Sequence, residues 1–183
     1  ARQVAPVLSG NFVSGGETTC RPGRQKSARF DMVLPPAALT DAKQMFQLPP
    51  DSCDCHCHVF GPSDRYPYAA GRAYTPADAP KEVLAALHRR LGIDRAVIVQ
   101  ASVHGTDNRP TLEAMRSDPP RYRGVAMIDD ATPDSDLPAM HEAGICGIRF
   151  NFNRNLGGIP DLDLVDRSVA RVKDMGWHLV MQI

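Results

Sequence analysis

No stretch of this chain approaches the roughly 20 consecutive apolar residues that a membrane-spanning helix needs. The N-terminus has no basic start followed by an apolar core, so no secretory signal is read there. Net charge is missing too: 21 basic residues balance 21 acidic ones. That balance removes the electrostatic footprint of a nucleic-acid or anionic-membrane binder. Lysine is scarce, four against 17 arginines, a proportion that suits planar recognition of carboxylates. The five cysteines include no CxxC pair, and three of them, Cys53, Cys55 and Cys57, simply alternate. Such spacing makes neither a disulfide framework nor the usual structural zinc site, so reduced thiols in a cytoplasm are expected.

What is present is alternation. Residues 1–31 show no periodicity and are rich in Gly, Ser, Thr and Arg, the composition of a disordered lead. Residues 1–49 are therefore set apart as a disordered or extended lead, with Met32 as the expected natural start, and 50–183 as the folded portion. Within that portion CDCHCHVF, DRAVIVQAS, RYRGVAMI, ICGIRFNF and WHLVMQI read as strands. Between them, KEVLAALHRRLG (capped by Asp78 and ended by Gly92), RPTLEAMRS, TPDSDLPAMHEAG and DLDLVDRSVARVKDMG read as helices. Five strands separated by helices imply an α/β fold of parallel βα units with right-handed crossovers. An open doubly wound sheet would give the same alternation. The polar residues favour a barrel: His56, His58, Ser102, His104 and Arg149 fall at or just past C-terminal strand ends, where parallel βα folds carry their chemistry. Closing a TIM (β/α)8 barrel takes about 250 residues, so 183 would supply about five βα units of the eight.

In DCHCH, strand alternation sends Asp54, His56 and His58 to one face and the three cysteines to the other, against a helix layer. Two imidazoles spaced this way can converge on a divalent metal or a substrate anion. The competing readings are purely structural histidines, or a soft-metal cluster built from the thiols. Alternation parts thiols from imidazoles and disfavours the cluster. Arg149 ends an apolar strand, where an unpaired charge is costly. It needs a partner, and Asp129 or Asp54 could supply an internal salt bridge. His88 and His141 fall in helices and His178 at the strand end opposite the chemistry, so packing or surface roles are expected for all three.

DCHCHVFGP, RAYTPADAP, QASVHGTDN and GIRFNF together resemble the lactonase branch of the amidohydrolase superfamily, in particular the 2-pyrone-4,6-dicarboxylate lactonases. The resemblance covers about residues 50–183. It implies hydrolysis of a small dicarboxylate lactone by water attack on the ring ester carbonyl, with His56 and His58 catalytic. It further implies that the same two histidines hold zinc if an ion is bound, the cofactor being none or one divalent metal. Tyr74 and Ser102 would contact substrate, and Arg149 and Arg154 would hold its carboxylates. His104 would contact substrate or cap the HGTDN turn. Met181-Gln182 departs from the tyrosine of the pyrone lactonases. A histidine, an arginine and the eighth-strand aspartate, the expected general base, belong to later strands of such a barrel, so the chain is expected to be truncated and nearly inactive alone. The other readings are a metal-dependent decarboxylase of an aromatic acid or another amidohydrolase-type hydrolase, and a non-catalytic half-barrel remnant. Oligomeric state stays open.

Overall fold

The computed structural model describes residues 48–153 and 161–183. Most of the expected lead, with Met32, lies outside these residues, as does Arg154. Five short strands make the sheet. They are β1 (Cys53–Cys57), β2 (Arg95–Val99), β3 (Tyr122–Ala126), β4 (Ile145–Asn151) and β5 (His178–Gln182). The intervening helices are α1 (Lys81–Leu91), α2 (Arg109–Arg116), α3 (Asp136–Glu142) and α4 (Leu162–Val172).

The ends of these elements follow local chemistry. Gly92 stops α1 by adopting a left-handed φ of 70°, a conformation that costs other residues a Cβ clash. Asp161 caps α4 by accepting the Asp163 N–H. Asp78 does not cap α1 as expected: the helix starts after Pro80 with no side-chain cap. The Asp78 carboxylate is instead engaged within the β1–α1 loop, by the N–H and hydroxyl of Ser63 and by the Tyr68 hydroxyl.

All four strand pairs are parallel, and the spatial order is simply β1-β2-β3-β4-β5. A doubly wound sheet reverses its strand order at a switch point. No reversal occurs here, so the five strands form a half-barrel of (β/α)8 type. Ile98, Ile148, Met115, Leu137, Val172 and Trp177 belong to one core between sheet and helices. Fully burying a side chain such as Ile98 or Ile148 is worth about 1.5–3 kcal/mol.

Pairing of β1 with β2 is irregular in one place. Cys53 and Asp54 face Arg95 and Ala96, but the next partners are Cys57 and Ile98. Three steps along β1 thus match two along β2. This is a bulge, and it reverses the alternation of side chains beyond it.

Candidate active site

His58 follows directly on β1. Its Nδ1 lies 2.8 Å from the Val99 carbonyl oxygen. A carbonyl only accepts, so Nδ1 carries the proton and Nε2 keeps a lone pair. The His56 ring stands edge-on to it, with centroids 5.1 Å apart. Burial pushes both imidazoles below their ordinary pKa, and the nearby Arg149 cation adds to this. For His58 the bond to Val99 offsets part of the effect. Both rings are therefore neutral at pH 7.

Arg149 lies near the end of β4 and is buried. Its Nη1 donates to the Gln100 carbonyl at 3.1 Å and its Nη2 to Asn151 Oδ1 at 2.5 Å, while Nε has no partner. No carboxylate pairs with it among the described residues. Neither candidate salt bridge forms, because Asp129 accepts from the Ala131 and Thr132 backbone and Asp54 engages His88. Burial lowers the Arg149 pKa and the neighbouring Tyr74 opposes the shift. An unneutralised guanidinium at this depth is costly and stands ready for an anion.

The other expected residues are placed differently. Tyr74 is 43% exposed in the β1–α1 loop, and half-buried Ser102 opens a short turn after β2. His104 is buried, and its Nε2 accepts the Gly61 N–H at 3.1 Å with the Tyr68 ring 4.7 Å away. It thereby ties the turn after β2 to the loop after β1.

Two residues that the sequence reading passed over organise this rim. Gln100 is fully buried; its Nε2 donates to the Gly105 and Asp107 carbonyls and its Oε1 accepts from the Thr111 hydroxyl. Asn108 donates to the Thr106 and Met127 carbonyls and accepts the Met127 N–H. A polar residue at the end of an apolar strand was the available signal for Gln100.

The bulge changes what β1 presents. Asp54, expected beside His56 and His58, turns towards α1, where its Oδ2 lies 3.2 Å from His88 Nε2. Its Oδ1 accepts the His56 N–H at 3.2 Å. Of the three cysteines only Cys57 is buried; Cys53 and Cys55 are exposed rather than packed against helices. His88 is fully buried beneath the Tyr122 ring, His141 accepts a bond from Trp177 Nε1, and the His178 ring packs at Gly147.

The sequence profile of the amidohydrolase family matches residues 53–183. The chain belongs to the amidohydrolase family. Within that family it is 42% identical over 140 residues to 2-pyrone-4,6-dicarboxylate hydrolase of Comamonas testosteroni, covering 76% of this chain and 46% of the relative. It is 42% identical over 136 residues to 4-sulfomuconolactone hydrolase of Hydrogenophaga intermedia, covering 72% and 44%. The crystal structure of a probable 2-pyrone-4,6-dicarboxylic acid hydrolase from Acinetobacter baumannii, with citric acid bound, superposes with a TM-score of 0.63 at 25% identity, over 72% of this chain and 49% of that one. The chain thus spans about half the length of the curated relatives it matches.

For a divalent ion, this amidohydrolase offers two neutral imidazoles at His56 and His58, the latter with its Nε2 lone pair fixed from behind by Val99. No third His, Cys, Asp or Glu joins them among the described residues. The one group of three ligand-type side chains there is Asp54, Cys57 and His88. None of the described helices is long and apolar enough to cross a membrane.

Proposed function

We propose that this amidohydrolase serves in hydrolysis of a small carboxylated lactone of the 2-pyrone-4,6-dicarboxylate kind. The observation that carries the reading is Arg149, a buried guanidinium without a carboxylate partner among the described residues, beside two neutral imidazoles. A substrate carboxylate neutralises it by charge-assisted bonds, including one to the free Nε. In this proposal Arg154 takes the second carboxylate, and Tyr74 and Ser102 donate to carboxylate or ring oxygens. Names of the relatives support the lactone, and the citric acid of the Acinetobacter relative supports recognition of several carboxylates at once.

Water adds to the ring ester carbonyl, the ring C–O bond breaks, the ring oxygen leaves with a proton, and a new carboxylate appears. His56 and His58 flank the reacting carbonyl: His56 donates a hydrogen bond to the developing oxyanion, and the Nε2 lone pair of His58 accepts one from the attacking water. Where a divalent ion is bound, His56 and His58 would hold it and it would supply Lewis-acid polarisation of that carbonyl. The cysteines among the described residues are all free, which fits a reducing, cytoplasmic setting.

The test is loss of pyrone absorbance on adding 2-pyrone-4,6-dicarboxylate, with and without zinc. The 183-residue chain would be compared with the same chain joined to the C-terminal half of the Comamonas relative. Turnover is expected only from the joined form, and Arg149→Ala should raise its KM or abolish turnover. Failure of the joined, folded form to bind or open any carboxylated lactone would overturn the proposal.

A further inference from the structure

We propose that Asp54, Cys57 and His88 form a thiolate-containing cation site between β1 and α1, one that takes a borderline-soft divalent ion such as zinc. The site lies apart from the His56–His58–Arg149 cluster and does not depend on the lactone reading. Regular alternation would put Asp54 and Cys57 on opposite faces of β1. The bulge between them instead lets both meet His88, which α1 delivers fully buried.

The donor atoms of the three residues all lie within 4.8 Å of one another. The 3.2 Å between Asp54 Oδ2 and His88 Nε2 matches the roughly 3.3 Å that separates two ligands on a tetrahedral ion with bonds of about 2.0–2.2 Å. The sulfur then has to close by about 1 Å, a rotamer-scale movement. One sulfur, one imidazole nitrogen and one carboxylate oxygen favour zinc or cobalt over magnesium or calcium, which take oxygen shells. Without an ion, His88 Nε2 carries the proton and donates to the Asp54 carboxylate; Nδ1, which has no partner of its own, can take that proton when an ion claims the Nε2 lone pair. Coordination of the Cys57 sulfur releases its thiol proton. Asp54 is half-buried, which leaves the fourth position to water. An ion here fastens the first helix of the half-barrel to its first strand.

Cobalt(II) is the probe, because thiolate ligation gives a near-ultraviolet charge-transfer band that imidazoles and carboxylates do not. The metal-free 183-residue chain would be titrated in a His56→Ala/His58→Ala background. The band is expected to saturate near one equivalent, to survive Cys53→Ser/Cys55→Ser, and to vanish in Cys57→Ser. Asp54→Asn and His88→Gln should each weaken cobalt binding at least tenfold, circular dichroism reporting that each variant is folded. No band at stoichiometric cobalt, or a band unchanged in Cys57→Ser, would overturn the proposal. Should Cys57→Ser fail to fold, the near-isosteric Asp54→Asn decides: undiminished affinity there overturns it equally.

Discussion

Gln100 spends its side chain inside the protein, on two carbonyls and one hydroxyl, while its own carbonyl receives Arg149. Gln100→Leu keeps the bulk but strands those partners. With about 1–3 kcal/mol for each buried group left unsatisfied, the variant should lose at least ~2 kcal/mol. Urea unfolding followed by circular dichroism would measure this; an unchanged midpoint would show the network to be energetically idle. His58 gives a pH dependence of definite sign. Its folded pKa lies below the ordinary histidine value of about 6.5, chiefly through burial. Between those two values the unfolded chain holds more protons, so stability is complete above 6.5 and falls as pH drops through the folded value. His58→Gln should flatten that slope in urea midpoints taken from about pH 7.5 to 5, leaving the parts due to His56 and His104. Both histidines and Arg149 were legible because their residue types are costly at strand ends without a purpose. Gln100 and Asn151 were passed over, since an amide at a strand end marks a polar position without saying whether it faces solvent or a buried partner. Asp54 was misplaced because a bulge leaves no mark in an otherwise alternating sequence.

At the scale of elements, β4 and β5 approach closely where Gly147 faces His178. A Cβ at 147 would stand 2.8 Å from the His178 ring and equally close to its carbonyl oxygen, and backbone cannot swing aside as a side chain can. Gly147→Ala should therefore push the strands apart and cost about 1–3 kcal/mol. Gly71→Ala, where a Cβ meets nothing within 4 Å, should leave the melting temperature unchanged. Equal melting temperatures for the two variants would refute the close approach. Elements were read well because apolar runs and terminal glycines are local signals: Gly92 ends α1 and Gly144, at a φ of 98°, lies between α3 and β4. The start of α1 was misread because Asp78 had better partners in Ser63 and Tyr68 than a helix end could offer.

At the scale of the molecule, β1 and β5 are the two edges of the sheet. Leu179 and Met181 of β5 are 41% and 56% exposed, and Ile183 beyond it 89%. An edge bearing exposed apolar residues invites pairing with another chain. The 183-residue chain should accordingly self-associate as its concentration rises, and Met181→Lys/Ile183→Lys should reduce this. Light scattering that stays flat for the unaltered chain would sink the idea. The alternation of strands and helices made the parallel arrangement legible, and polar residues at C-terminal strand ends pointed to a barrel; the absence of a reversal, which spacing does not encode, bears that out. The unreversed order β1-β2-β3-β4-β5 also has a reading in time. Each strand leaving the ribosome finds its neighbour already out and pairs across a single crossover, so no gap has to be held open for a segment still to be made. Space and synthesis run in the same direction, and the half-barrel can grow at the pace of translation.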